Sequence, residues 1–388
     1  MYQPNIRRFA VRVLVVDDSA FMRKMLREMI QSDPSLDVID SARDGAEAVE
    51  KALKLKPDLI TMDIEMPRMN GIEALGKILA QCETTPPAIL MCSSLTVDGS
   101  VEALKALELG ASDFIAKDPQ AGGMQSLGFK TQLLSKLRSI GGHRRRVASG
   151  FIPMPMMTNT ARENQSHASD QVALNNQFVP DQVDAIVIGA STGGPPVLES
   201  ILSDLPESLP IPILVAQHMP KLFTESFANR LNGFCGCGAM LASHGTTLHV
   251  PKVYIAEGGS HLKLTRIAGK KIIARTIEHI DGLSYKPSVD LLFTSAAELF
   301  GPRLLAIQLT GMGEDGAIGA NAVRSKGGAV IAQDSNSCVV YGMPRAVVEN
   351  GSANTIMTPS EIKAVIQSVV ITNQMGDSIQ SENPRKSA

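Results

Sequence analysis

The chain has 388 residues, enough for two domains that each bury a core, and its 37 Lys+Arg against 39 Asp+Glu leave a net charge of -2. That balance carries no nucleic-acid footprint, and no apolar run approaches the roughly 20 residues that cross a bilayer, so neither nucleic acid nor direct membrane insertion is expected. Partners have to be found by motif.

The N-terminal stretch MYQPNIRRFAVRVLVV breaks off at Asp17-Asp18 without a small-residue cleavage site, so it does not read as a signal peptide and a cytoplasmic protein is expected. Five cysteines, an odd number, fit a reducing compartment better than a disulfide framework. From Val11 to about Leu137 the runs VRVLVV, LDVIDSA, PDLITM, AILMC and SDFIA are strand candidates, and Met22, Met25, Leu26, Met29 and Ile30 form a helical stripe between the first two. Strands alternating with helices imply an α/β fold built on a parallel sheet covered on both faces.

Acidic residues gather where these strands end. Asp17 and Asp18 close the first strand and Asp63 closes the third, so carboxylates from neighbouring strands can converge. Converging carboxylates repel unless a cation sits among them, and a hard, oxygen-liganded ion such as Mg2+ suits that role. The ion would offset the charge of an incoming phosphoryl group while Asp63 attacks it. Lys117 after the fifth strand could pair with the phosphate, and Ser93 after the fourth could hydrogen-bond to it. Taken singly, each acid is better explained as a helix cap; for the whole set, with Ser93 and Lys117 at the ends of four strands, that reading is much weaker.

These residues, with the Asp63-x-x-Met66-Pro67 segment, Gly71 and Phe114, resemble a response-regulator receiver. The resemblance implies a flavodoxin-like five-stranded parallel sheet, phosphorylation of Asp63 by a chemotaxis histidine kinase with Mg2+ on Asp17, Asp18 and Asp63, and Ser93, Phe114 and Lys117 as switch residues. Receivers usually carry proline directly after the lysine, whereas here the order is Lys117-Asp118-Pro119.

From about Gly141 the periodicity disappears into GGHRRRVASG and the polar PMPMMTNTARENQSHASDQ, which reads as a flexible linker. The expected division is a receiver over 11–138, a linker over 139–182, a second α/β domain over 183–372 and a disordered tail over 373–388. In the second domain DAIVI, PILVA, VYIA, LLAIQL and AVIA are strands, with helices after Pro195, Lys221, Ser288, Asp315 and Pro344.

DAIVIGASTGGPP, from Asp184 to Pro196, makes Ser191 either a nucleophile on a tight bend or an incidental serine in a phosphate cradle. Gly189-Ala190-Ser191-Thr192-Gly193 fits G-x-S-x-G between a buried strand and a helix. It lacks the lysine of a P-loop and the glycine spacing of a dinucleotide fold, although Asp204 and Glu207 stand roughly where the latter wants an acid. A serine nucleophile needs a base and an orienting acid. His218 directly follows the PILVAQ strand, and Asp315 lies just beyond LLAIQL, so all three sit at strand carboxyl ends where one cleft could hold them. The order serine, histidine, acid differs from that of α/β-hydrolases and argues for another fold. Of the other histidines, His244, His249, His261 and His279 do not directly follow a clean buried strand. Cys235 and Cys237 with His244 raise zinc, but no second Cys/His pair stands nearby and free thiols are the better reading. The Thr192 N–H, beside the nucleophile, is a natural oxyanion donor.

GASTGGP, QHMPKLFTESFANRL, YKPSVDLLFTSAAE, LTGMGEDGAIG and AQDSNSCVVYGMPRAV resemble the catalytic domain of the chemotaxis methylesterase family CheB, over about Asp184 to Val370. The resemblance implies a doubly wound α/β catalytic domain, a catalytic set of Ser191, His218 and Asp315, and Met312 as the second oxyanion donor. It implies hydrolysis of glutamate methyl esters on chemoreceptor cytoplasmic helices with release of methanol, held in check by the unphosphorylated receiver. It leaves glutamine deamidation open and implies no cofactor for catalysis. Two departures, ASHG at 242–245 and AEGG at 256–259, leave the three catalytic positions untouched. A different class of protein, a phospho-switched binder with an inert second domain, would not need an intact Ser/His/Asp set.

Overall fold

The computed structural model describes residues 10–82, 86–94, 96–117, 127–148, 182–207, 209–248, 252–267 and 271–381. The first domain runs β1 (Val11–Val16), α1 (Ala20–Gln31), β2 (Leu36–Ala42), α2 (Gly45–Leu55), β3 (Leu59–Asp63), α3 (Gly71–Gln81), β4 (Ala88–Ser94), α4 (Val97–Glu108), β5 (Asp113–Lys117) and α5 (Leu127–Ala148). Its strands form one parallel sheet in the order β2-β1-β3-β4-β5. Central strands β3 and β4 are buried almost throughout and read as unbroken apolar runs, while the edge strand β2 alternates. Ser19, Asp44, Asn70 and Thr96 cap the first four helices by accepting N–H bonds from the first turn.

Helix α5 corrects the expected boundary: it continues to Ala148, ten residues into the segment read as linker. A Cβ on Gly141 would fall against the Val11 side chain, so that glycine serves close packing inside the helix. Residues 149–181 of the expected linker and the Asp118-Pro119 turn lie outside the described residues.

The second domain runs β6 (Ala185–Ala190), α6 (Gly194–Leu202), β7 (Ile213–Gln217), α7 (Lys221–Asn232), β8 (Ala239–Ala242), β9 (Val253–Ala256), β10 (His261–Arg266), β11 (Ile272–Ile277), α8 (Val289–Phe300), β12 (Leu304–Gln308), α9 (Ala317–Ser325), β13 (Ala329–Gln333), α10 (Met343–Glu349), β14 (Thr355–Met357) and α11 (Pro359–Ser381). Seven strands form a parallel sheet in the order β14-β13-β12-β6-β7-β9-β8, and β10-β11 is a separate antiparallel hairpin. Chain order reverses between β6 and β12, so the crevice at their carboxyl ends is a topological switch point. The expected five strands are all present. The four additional ones, β8, β10, β11 and β14, are short or interleaved with polar residues, which hides them from a search for apolar runs. Helix α11 also departs from expectation by continuing to Ser381 through the first part of the tail, with no proline before Pro384 to stop it.

The two domains share a continuous apolar core. Leu104 and Leu107 of α4 and Phe114 of β5 join Leu198 and Ile201 of α6 and Phe223 and Phe227 of α7 in one buried cluster. Phe114 stacks on Phe223 with ring centroids 4.3 Å apart and planes 8° from parallel. Polar contacts flank this seam: the Ser100 and Ser226 hydroxyls lie 2.6 Å apart, and Arg230 reaches Glu108 at 2.8 Å while also pairing with Glu199.

Phe293 is fully buried between the sheet and α9, where a Cβ on Gly319 would press into it. Phe293→Ala is expected to destabilise the second domain by about 3–5 kcal/mol. Urea unfolding followed by circular dichroism checks this, and a loss below about 1 kcal/mol would contradict the α8–α9 packing.

Candidate active site and phosphoacceptor pocket

The fully buried strand β6 delivers Ser191 to the crevice. Its N–H donates to the Thr310 carbonyl at 3.0 Å, and its own carbonyl accepts from Gly194 N and Gln217 Nε2, both at 2.9 Å. Gly193 closes the turn at φ 77°, where a Cβ would also meet Val339. The turn after β12 passes alongside. Gly311 is required there, because a Cβ would overlap Met343 Sδ and lie 2.9 Å from Ser191 Cβ. Thr310 Oγ1 donates to the Thr192 carbonyl at 3.0 Å and ties the two turns together. Among the described residues the N–H groups of Thr192 and Met312, one on each turn, make no hydrogen bond.

His218 follows β7, and its Nε2 lies 2.8 Å from Asp315 Oδ2. Its ring stacks on Tyr285, centroids 4.6 Å apart and 3° from parallel. That leaves Nδ1 buried and without a partner among the described residues. No hydrogen bond joins Ser191 Oγ to His218 among them. Asp315 also accepts from Ser288 Oγ at 3.1 Å and from the N–H groups of Val289 (2.8 Å) and Asp290 (3.0 Å) at the start of α8. Burial alone would raise its pKa, but the His218 contact and these N–H groups outweigh it and hold the carboxyl below the usual range. Asp290 reciprocates: Oδ1 accepts from Gly316 and Gly319 at the start of α9. Burial, then the neighbouring Asp315 charge, pushes Asp290 up to about 6 despite those bonds. A cavity of about 330 Å³ opens onto Ser191, His218, Tyr285 and Met312, and receiver residues Asp113, Phe114 and Lys136 form part of its wall.

In the receiver, single oxygens of Asp17, Asp18 and Asp63 come within 4.8 Å of one another. Lys117 Nζ lies 2.7 Å from Asp63 and 3.3 Å from Asp17. Asp17 takes the Ser19 N–H and Asp63 the Ile64 N–H, so neither acts as the cap of α1 or α3. Burial pushes Asp63 up to about 6 and the Asp17 charge adds to this, against the pull of Lys117. An all-oxygen donor set with excess negative charge fits a hard divalent ion such as Mg2+. Ser93 is buried with Oγ donating to the Gly99 carbonyl at 2.7 Å, and Phe114 faces the second domain.

The other candidates disperse. Cys235 and Cys237 have sulfurs 3.2 Å apart, but no Cys/His metal set forms among the described residues. His279 pairs with Asp281 at the surface, His261 is fully buried at the first position of β10, and His249 lies outside the described residues. Sequence reasoning missed Tyr285, Ser288 and Asp290, which all lie within YKPSVDLL, as well as Gln217, Thr310, Asp113 and Lys136.

Fold and crevice thus define a response-regulator receiver joined to a doubly wound α/β domain with a serine, histidine and aspartate at its switch point. The receiver-domain family model matches residues 13–126 and the CheB methylesterase model residues 186–366. The chain is 40% identical over 372 residues to a protein-glutamate methylesterase/protein-glutamine glutaminase of Oleidesulfovibrio alaskensis, covering 93% of this chain and 99% of that one. A protein of the same name from Vibrio cholerae is 41% identical, with 88% of this chain and 94% of that one covered. The solved CheB methylesterase catalytic domain of Thermotoga maritima is 39% identical over 49% of this chain and 100% of its own, with a TM-score of 0.47. The chain belongs to the protein-glutamate methylesterase/protein-glutamine glutaminase family. Among the described residues no helix is long and apolar enough to cross a membrane.

The crossed acids generate a pH prediction. A folded pKa of about 6 for Asp290 lies above the unfolded carboxylate value, so its protonation favours the fold. This contribution is complete below about pH 4 and lost as pH rises through about 6. Asp290→Asn keeps an oxygen for Gly316 and Gly319 and is expected to flatten Tm against pH in that window. An unchanged slope would show that Asp290 is not the titrating group.

Proposed function

We propose that the protein hydrolyses glutamate methyl esters on the cytoplasmic helices of chemoreceptors, working in the cytoplasm, and that phosphorylation of Asp63 by a histidine kinase relieves its inhibition by the receiver. The observation that carries the chemistry is the 2.8 Å contact between His218 Nε2 and Asp315 beside Ser191. With Nε2–H donating to the carboxylate, Nδ1 is the free base. In this mechanism Nδ1 takes the Ser191 proton as Oγ attacks the ester carbonyl. The unbonded N–H groups of Thr192 and Met312 suit the oxyanion. Collapse passes the proton to the leaving methoxide and frees methanol, and water then hydrolyses the glutamyl-serine ester to glutamate. A glutamine side chain entering the same acyl-enzyme route would release ammonia. Tyr285 fixes the imidazole plane by stacking.

The receiver's part rests on its position in the wall of the cavity. Asp17, Asp18 and Asp63 would hold Mg2+, which screens the phosphoryl oxygens from the carboxylates. Lys117, already on Asp63, would hold the phosphoryl group; Ser93 and Phe114 would respond to it. The proposed division places the receiver at 11–148 and the hydrolase at 183–372, with 149–182 between them.

Ser191→Ala is expected to lower methanol release from a methylated receptor by several powers of ten with folding intact. Asp63→Asn should keep basal hydrolysis and lose stimulation by acetyl phosphate with Mg2+. Asp315→Asn should do the reverse, since its amide would donate to Nε2 and leave the proton on Nδ1. Stimulation surviving in Asp63→Asn, or full hydrolysis in Asp315→Asn, would overturn the assignment of roles.

A further inference from the structure

Strand β5 touches both sites within five residues. At its carboxyl end Lys117 pairs with Asp63 and Asp17, and at its amino end Phe114 stacks on Phe223 and Asp113 contacts the second domain. Asp113 Oδ2 accepts a 2.6 Å hydrogen bond from Thr192 Oγ1 and an ion pair from Lys136 of α5, whose ammonium also lies 3.5 Å from the same hydroxyl. Asp113 is 4% exposed and Thr192 2%. At about 3.3 Å per residue, the strand carries these contacts only about 13 Å from Lys117, which pairs with the phosphoacceptor. The second oxyanion turn is held as well, by Ser135 Oγ of α5 donating to Met312 Sδ at 3.1 Å.

Resting on the function proposed above, we propose that Asp113, seated by Lys136, is a positioning residue that latches the Thr192 hydroxyl in the resting protein. The receiver then grips the turn carrying the nucleophile and does not merely cover the cleft. The apolar seam is indifferent to small displacements, whereas a hydrogen bond to a buried carboxylate weakens steeply with distance and angle. The latch is also reversible at little cost. Asp113 and Lys136 both belong to the receiver and stay paired when the domains part, and the Thr192 hydroxyl turns to water, so opening strands no buried charge.

Linkage makes the latch measurable apart from catalysis. Whatever the latch contributes to the closed state must be overcome by a phosphoryl group, so removing it tightens binding of a phosphoryl mimic by the factor by which it raises basal activity. Beryllofluoride with Mg2+ is titrated into the full chain by calorimetry, alongside methanol release from a methylated receptor. Asp113→Ala is expected to bind beryllofluoride roughly tenfold more tightly, as loss of one hydrogen bond to a charged group predicts. Its unstimulated hydrolysis should rise by a like factor while the beryllofluoride-saturated rate stays at the wild-type level. Thr192→Val, which removes only the hydroxyl, should tighten beryllofluoride similarly, and the double variant should gain little more. Unchanged beryllofluoride affinity in either single variant, or fully additive gains in the double, would overturn the latch. Affinity shifts without hydrolysis in any protein, wild type included, would overturn the esterase reading and leave the latch supported.

Discussion

The Asp315 carboxylate accepts four hydrogen bonds, from His218 Nε2, Ser288 Oγ and the N–H groups of Val289 and Asp290. A buried charge is tolerated when its lone pairs are occupied and a helix N-terminus faces it, and here both conditions hold at once. The consequence reaches past the acid itself. Asp290, whose N–H is one of the four donors, carries the start of α9 on its own side chain, so α8 and α9 lock each other around the point where the imidazole is oriented. The histidine has little freedom left: its Nε2 is tied to Asp315 and its face lies on Tyr285.

Much of this architecture was legible in the sequence, for identifiable reasons. Strands buried on both faces, such as β1, β3, β6, β7, β12 and β13, print as apolar runs, and their carboxyl ends are where α/β sheets keep their chemistry. Asp17, Asp63, Ser191, His218 and Asp315 could therefore be picked out as residues just past such runs. Tyr285, Ser288 and Asp290 follow no strand and enter the site from a connection and a helix start, so spacing held no signal for them. Beyond Gly141 the periodicity fades although the helix continues, its glycine packed closely against Val11. Asp113 was read as part of a strand. Its role is set by a partner 79 residues away in another domain, which no local pattern encodes.

The domain seam joins two kinds of contact with different physics. Phe114 on Phe223, with the apolar residues of α4, α6 and α7 around them, gives a broad attraction that falls off gradually as the domains separate. The contacts at Asp113, Lys136 and Ser135 are short-ranged and lie against the two turns that line the crevice. The first kind holds the receiver docked, and the second fixes where the Ser191 turn sits while it is docked. Because β5 carries a member of each kind as well as Lys117, a shift of that one strand is felt at the seam and at the crevice together.

The energy available to move that strand is limited. A phosphoryl group contributes on the order of one to three charge-assisted hydrogen bonds, each about 1.5–3 kcal/mol. Carrying a two-state equilibrium from 1:99 to 99:1 takes about 5.5 kcal/mol. The closed arrangement must therefore be favoured by only a few kcal/mol, although it buries aromatic rings whose full burial is individually worth a comparable amount. A seam of aromatic contacts alone would be hard to hold that close to balance, since small changes in buried area move it by whole kcal/mol. A polar contact whose two sides are each satisfied in the open state contributes only about 1.4 kcal/mol, the tenfold expected on its removal, while fixing the geometry closely. The pairing of a modest apolar patch with a buried carboxylate–hydroxyl contact is what a docking held within reach of one phosphoryl group requires.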